Sequence, residues 1–359
     1  MHRAAVALLI LLAASESDLW KKLCDAGDAR ACRAFGNALE AEKDFTHAAD
    51  AFRKACDGGD PEGCTSLGLL IQHGQGMPKD EAAAVPLLEL GCKRGSAYGC
   101  YFAGSVYRIG RGVARDMARA ASFFRLGCEA GDADTCATLG DAYIRGEGVR
   151  ADPAEAKKLY EKACAGDAGA GCLGLGNLYY DGHSVPKDDA RAAKLWAQAC
   201  EHDAPMACSN LGAMYERAIG VDKDLTRAAA LYKKACDAGV AIGCSNLGGM
   251  YYNGWGMPVD YFRAAELYKK GCDGGDALRC TGLGTLYADG KGVAQDLKRA
   301  AALYEEGCEG GDADGCVLLA TALQSGAGVP KDPVRAAALL KRACDAADKE
   351  ACDALAAQK

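Results

Sequence analysis

The segment Cys136–Cys164, CATLGDAYIRGEGVRADPAEAKKLYEKAC, decides the fold. It holds two runs of helical periodicity around a glycine-broken turn. In the first run Cys136, Leu139, Gly140 and Tyr143 share one face of a helix. Gly146 and Gly148 end it, because glycine reaches left-handed backbone at a helix terminus at little cost. Asp152-Pro153-Ala154-Glu155 opens the second helix: aspartate caps, proline fits the first helical position, and glutamate completes a capping box. Ala156, Leu159, Tyr160 and Ala163 form its apolar stripe, and Asp167 is expected to start the next unit.

The frame repeats along the chain. The 20 cysteines form ten pairs, each eight residues apart: Cys24 with Cys32, Cys56 with Cys64, Cys92 with Cys100, Cys128 with Cys136, Cys164 with Cys172, Cys200 with Cys208, Cys236 with Cys244, Cys272 with Cys280, Cys308 with Cys316, and Cys344 with Cys352. The first step between pairs is 32 residues and every later one is 36. A fixed period of this size marks a solenoid. Nine helix pairs are expected, from near Cys32 to near Cys344, the first lacking four residues in its middle turn. Gly36, Gly68, Gly104, Gly140, Gly176, Gly212, Gly248 and Gly284 recur four residues after the second cysteine, with Ala320 last. Glycine is disfavoured in a helix interior by about 1 kcal/mol relative to alanine, so its recurrence predicts a close approach of two helices. Tyr107, Tyr143, Tyr179, Tyr215, Tyr251 and Tyr287 recur at helical spacing and are read as packing. Asp80, Asp116, Asp152, Asp188, Asp224, Asp260, Asp296 and Asp332 are read as caps of the second helices.

The first cysteine of a pair ends one helix and the second opens the next, across a Gly-Asp or Gly-Ser turn with a glycine C-cap and a polar N-cap. A local disulfide suits antiparallel neighbours and would stabilise each turn by about 2–3 kcal/mol in the loop-entropy model. Zinc ligation is the rival reading, but it usually shows Cys-x-x-Cys spacing. So many paired cysteines point to an oxidising compartment. The apolar run Ala4–Ala14 after Met1-His2-Arg3, followed by Ser15, fits a secretory signal peptide cleaved near residues 14–17. A buried N-terminal helix is the alternative. The net charge of −7 disfavours a nucleic-acid partner, and no segment of the mature chain is long and apolar enough to span a membrane. The expected organisation is a signal peptide at 1–16, an N-terminal capping helix at 17–31, nine repeats of about 36 residues at 32–344, and a C-terminal capping helix at 345–359.

The pattern C-x-x-L-G-x-x-Y-x-x-G-x-G-V-x-x-D-x-x-x-A-A-x-L-Y-x-x-A-C resembles the Sel1-like repeat. With a cysteine pair in every unit, the chain is similar to the Helicobacter cysteine-rich protein family over residues 24–352. Ser184 in place of the second loop glycine and Ala218 in place of the first are its departures. The resemblance implies an all-α, right-handed α/α superhelical solenoid of the tetratricopeptide kind, stapled by a disulfide in each unit. It implies a protein or peptide partner. It also implies an alternative: a penicillin-binding protein or weak β-lactamase, with a cell-wall peptide or β-lactam as ligand.

The residues show little catalytic chemistry. Ser184-Val185-Pro186-Lys187 matches Ser-x-x-Lys, but it lies in an inter-helix loop without Ser-Asp-Asn or Lys-Thr-Gly partners, and is read as a chance match. His2, His47, His73, His183 and His202 make no metal motif, so neither a metal site nor a cofactor is expected. The candidate peptide-reading residues are outward positions of the first helices: Arg108, Asn177, Tyr180, Asn210, Glu216, Asn246 and Tyr252, with Trp255 in a loop. Asparagine can grip a peptide backbone and tyrosine offers rigid contact area. The expected function is an exported interaction scaffold, secreted or periplasmic.

Overall fold

The computed structural model describes residues 16–182, 184–346, 349 and 352–353, so the expected signal peptide lies outside the described residues. The described residues are helical with no strand. Residues 16–25 form α1. Leading and trailing helices then alternate, each of 13 residues: α2 (Ala29–Ala41), α3 (Phe45–Asp57), α4 (Pro61–His73), α5 (Glu81–Lys93), α6 (Ala97–Ile109), α7 (Met117–Glu129), α8 (Ala133–Arg145), α9 (Pro153–Ala165), α10 (Gly169–Asp181), α11 (Asp189–Glu201), α12 (Pro205–Arg217), α13 (Leu225–Asp237), α14 (Ala241–Asn253), α15 (Tyr261–Asp273), α16 (Ala277–Asp289), α17 (Leu297–Glu309), α18 (Ala313–Ser325) and α19 (Pro333–Asp345). The chain divides into two compact units, one of Met1–Leu178 with His183–Val185, the other of Tyr179–Gly182 with Pro186–Lys359. Each is a solenoid of stacked helix pairs.

The recurrent glycine sits where the ring of the trailing helix arrives. A methyl on Gly140 would meet Tyr160 Cε1 at 2.7 Å, and one on Gly284 would meet Tyr304 Cδ1 at 2.8 Å. Gly36 with Phe52, Gly212 with Tyr232 and Gly248 with Tyr268 repeat the arrangement. Each ring is buried, so one leading and one trailing helix share a tightly packed seam.

The predicted caps are present. From α5 to α19 the capping aspartate of every trailing helix accepts from backbone N–H groups of the first turn, as in Ala83 N to Asp80 Oδ1 at 2.9 Å. All ten cysteine pairs are bridged within their turns, with Cα atoms 4.4 to 4.8 Å apart. Successive pairs are also tied by cations on cysteine carbonyls. Lys162 Nζ donates to Cys128 O and Lys234 Nζ to Cys200 O, each at 2.6 Å. These charge-assisted bonds add a second element's donor to carbonyls in the last turn of a helix.

Two local expectations are corrected. Asp167 does not start α10; at φ +62° it fills the left-handed position that Gly131 takes in the preceding turn, and Ala168 O accepts from Cys172 N instead. The polar cap is missing from α12 and α14, which begin after Ala204 and Val240. There Ala207 N and Gly243 N donate to the backbone carbonyls of Ala204 and Val240. The loop departure at Ala218 keeps the geometry of the glycine it replaces, at φ +56° and ψ +43°.

Ala218→Gly is expected to stabilise α12 and its loop by about 0.5–1 kcal/mol, since an L-residue pays for left-handed backbone. Gly140→Ala has the opposite sign. Helix propensity favours alanine by about 1 kcal/mol, but overpacking against the held Tyr160 ring costs about 1–3 kcal/mol. Amide hydrogen exchange in α12 and in α8 reads both: slower exchange for the first, faster for the second.

Candidate functional site

The leading helices carry the recurrent tyrosines, and trailing-helix arginines cover them. Arg119 lies 4.4 Å from the Tyr107 ring centre, Arg227 5.0 Å from Tyr215, Arg263 5.4 Å from Tyr251 and Arg299 4.5 Å from Tyr287. These rings are committed to packing under a cation, which leaves the reading role to other positions. Tyr107 O–H donates to Glu89 Oε1 at 2.6 Å, and burial followed by that bond pushes its hydroxyl up to about 12. Burial first, then a carboxylate partner, also raises Tyr160 beside Asp141 and Tyr232 beside Glu216.

The candidate reading residues fall on both units. In the first unit Arg108 stands 5.6 Å from the Phe124 ring centre, half-buried, while Asn177 on α10 is exposed. In the second unit Tyr180 packs 5.2 Å from Trp196, with Lys187 Nζ 4.7 Å from its ring centre. Glu216 accepts the Tyr232 hydroxyl at 2.6 Å, which makes it a core partner. Asn210 and Asn246 are half-buried on α12 and α14, and Trp255 is 46% exposed in its loop.

Tyr252 lines a groove. A groove of about 340 Å³ runs across three successive leading helices of the second unit. Tyr252 of α14 forms one wall, Leu278, Arg279, Thr281 and Thr285 of α16 the floor, and Val317 and Leu318 of α18 the far side. The Tyr252 ring is held edge-on to Tyr261 at 5.5 Å and tilted over Tyr268 at 6.2 Å. The sequence reading missed Arg279. The residue before the second cysteine is Ala31, Gly63, Gly99, Thr135, Gly171, Ala207, Gly243 and Gly315 in the other units, and that break in a small-residue position was the available signal.

Much of the charge elsewhere is paired within the protein. A larger cavity of about 590 Å³ between α1 and α3 has three pairs of lining ions joined to one another: Lys54 with Asp25 and Arg53 with Asp50, each at 3.0 Å, and His47 with Asp44 at 2.7 Å. Cys272, Cys280 and Glu306 bring ligand-type atoms within 4.8 Å of one another. Both sulfurs belong to one disulfide, so neither offers a thiolate to a metal. Ser184 lies exposed in its loop, and Lys187 is spent on the Tyr180 ring and on Asp189 at 3.4 Å.

Residues 61–96, 97–132, 133–167, 169–203, 205–240, 241–276, 280–312 and 313–348 each match the Sel1 repeat. Among solved structures, c5321 of uropathogenic Escherichia coli, a protective antigen displaying an SLR fold, is 27% identical, with a TM-score of 0.70, covering 94% of this chain and 81% of that one. A Sel1 repeat protein from Oxalobacter formigenes is 25% identical, with a TM-score of 0.61, covering 86% of this chain and 90% of that one. Helicobacter pylori cysteine rich protein B is 32% identical over 37% of this chain and 96% of its own, with a TM-score of 0.31. No curated protein matches the chain.

The tyrosine geometry has a consequence in alkali. A tyrosine whose folded pKa is raised contributes stability that is whole below the unfolded value and is lost as pH rises through the folded one. For Tyr107 the window runs from the ordinary value of 10 to about 12. Difference absorbance at the phenolate band should show Tyr107 titrating late in wild type, identified by its loss in Tyr107→Phe. Glu89→Gln should bring that titration to lower pH.

Proposed function

The chain belongs to the Sel1 repeat family, and from that premise we propose that it is an exported scaffold that binds an extended polypeptide segment on its leading helices. A Sel1-repeat array is suited to protein interaction, because stacked helix pairs present side chains from several units along one surface. The observation that carries the peptide reading is the groove over α14, α16 and α18. It combines an aromatic wall at Tyr252, hydroxyls at Thr281 and Thr285, and apolar side chains at Leu278, Val317 and Leu318. Such a mixture suits a peptide that needs both apolar burial and backbone hydrogen bonds.

Export rests on the disulfides. Ten bridges and no free cysteine suit an oxidising compartment, and the cytosol would work against them. The Escherichia coli relative's description as a protective antigen accords with a protein displayed outside the cytoplasm. No helix among the described residues is long and apolar enough to cross a membrane. In this reading residues 1–16 direct export, 17–31 and 345–359 cap the array, and 32–344 are the working surface. The β-lactam alternative draws no support from Ser184, whose neighbouring lysine is already engaged.

A random peptide library displayed on phage, selected against the disulfide-intact chain, tests the proposal. Peptides that bind wild type and lose roughly 5–30-fold on Tyr252→Ala, the cost of a truncated aromatic anchor, are the expected result. Failure to recover any binder, together with nitrocefin turnover that follows the purified protein, would replace the scaffold with the hydrolase.

A further inference from the structure

We propose that the α14–α16–α18 groove selects an acidic side chain on the bound segment, anchored by Arg279; this rests on the peptide-binding reading above. Two departures from the repeat frame make the anchor. At the turn where the other units carry Gly, Ala or Thr, α16 carries Arg279. One unit earlier, where other leading helices present Leu69, Ser105, Asp141, Asn177, Ala213, Thr285 and Thr321, α14 has Gly249. The two meet: a methyl on Gly249 would lie 3.9 Å from Arg279 Nη1. The larger side chain of Leu69 or Asn177 at that place would occupy the space beside the guanidinium. The missing side chain on α14 and the added one on α16 are thus parts of one feature.

The guanidinium is placed for a ligand. Its side chain is 21% exposed, lies 5.2 Å from the Tyr268 ring centre, and reaches the groove lining. Its Nε is buried without a hydrogen-bond acceptor. The Asp276 carboxylate stands 3.8 Å away, beyond hydrogen-bond distance. Of the two charged side chains lining the groove, Asp314 is already engaged within the protein. Asp276 and the Tyr268 hydroxyl hold the guanidinium from within, and an incoming carboxylate would pair with its Nη edge beside Gly249, in the planar geometry a guanidinium favours. Leu278, Val317 and Leu318 beside it take an apolar neighbour, so the preferred segment carries Asp or Glu next to an apolar residue.

Peptides recovered by the display selection are synthesised and titrated by calorimetry against wild type, Arg279→Gly and Arg279→Lys. Arg279→Gly restores the residue found at Gly99, Gly243 and Gly315, so its fold is expected to hold, with circular dichroism as the check. The expected result is enrichment of Asp or Glu, with about tenfold or greater loss when that residue is changed to its amide or when Arg279 becomes glycine. The two changes together should cost little more than either alone, and Arg279→Lys should retain part of the affinity. Peptides that bind Arg279→Gly as tightly as wild type would overturn the acidic preference and leave peptide binding standing. Loss on amidating the peptide C-terminus, with no effect of the acidic side chain, would overturn it in favour of a terminal carboxylate. Recovery of no peptide would remove the peptide-binding reading as well.

Discussion

The approach of an aromatic ring to a glycine in the facing helix is the contact on which most of the repeats depend. Tyr160 on Gly140, Tyr232 on Gly212 and Tyr304 on Gly284 bring leading and trailing helices closer than any side chain at the glycine position would permit. The intrinsic helix cost of glycine is offset by burial of a whole ring. Where the ring is replaced, as by Leu88 against Gly68, a smaller apolar group occupies the same place. The glycine and its ring therefore act together, and the rest of the unit is arranged around their spacing.

Around that seam the polar chemistry is periodic as well. Aspartates satisfy the first turns, cysteine bridges close the turns between pairs, and Lys162 and Lys234 bind the carbonyls of cysteines in the preceding pair. The bridges constrain only their own turns, whereas the lysine–carbonyl bonds and the shared apolar surface couple neighbours. In an array of this kind stability is a sum of local units and interfaces, and each unit has its own opening free energy.

Repetition explains which parts of the candidate site were legible. A residue that recurs, such as Tyr251 or Asp260, declares a structural role by its recurrence, and the structure places it under an arginine or at a helix cap. The proposed anchor is a residue that breaks the pattern. Arg279 breaks it at a turn and Gly249 breaks it on a helix face, 30 positions apart in sequence. Glu216 shows the converse. An outward helical position marked it as a reader, yet the reach of the Tyr232 hydroxyl turned it into a core acceptor. Helical phase gives the direction in which a side chain leaves the backbone, and the neighbouring helix decides what it meets.

By itself the sequence determined the helix pairs, their period, the capping aspartates, the close helix approach at the recurrent glycine and the local cysteine pairing. Each of these depends on interactions within a few tens of residues and is repeated often enough to be read against its own copies. Only the tertiary structure decided that Asp167 takes a left-handed turn position, that the tyrosines lie beneath arginines, and that Tyr252, Arg279 and Leu318 share one groove. Those facts depend on which side chains stacked helices bring into contact, a distance in space that no single repeat encodes.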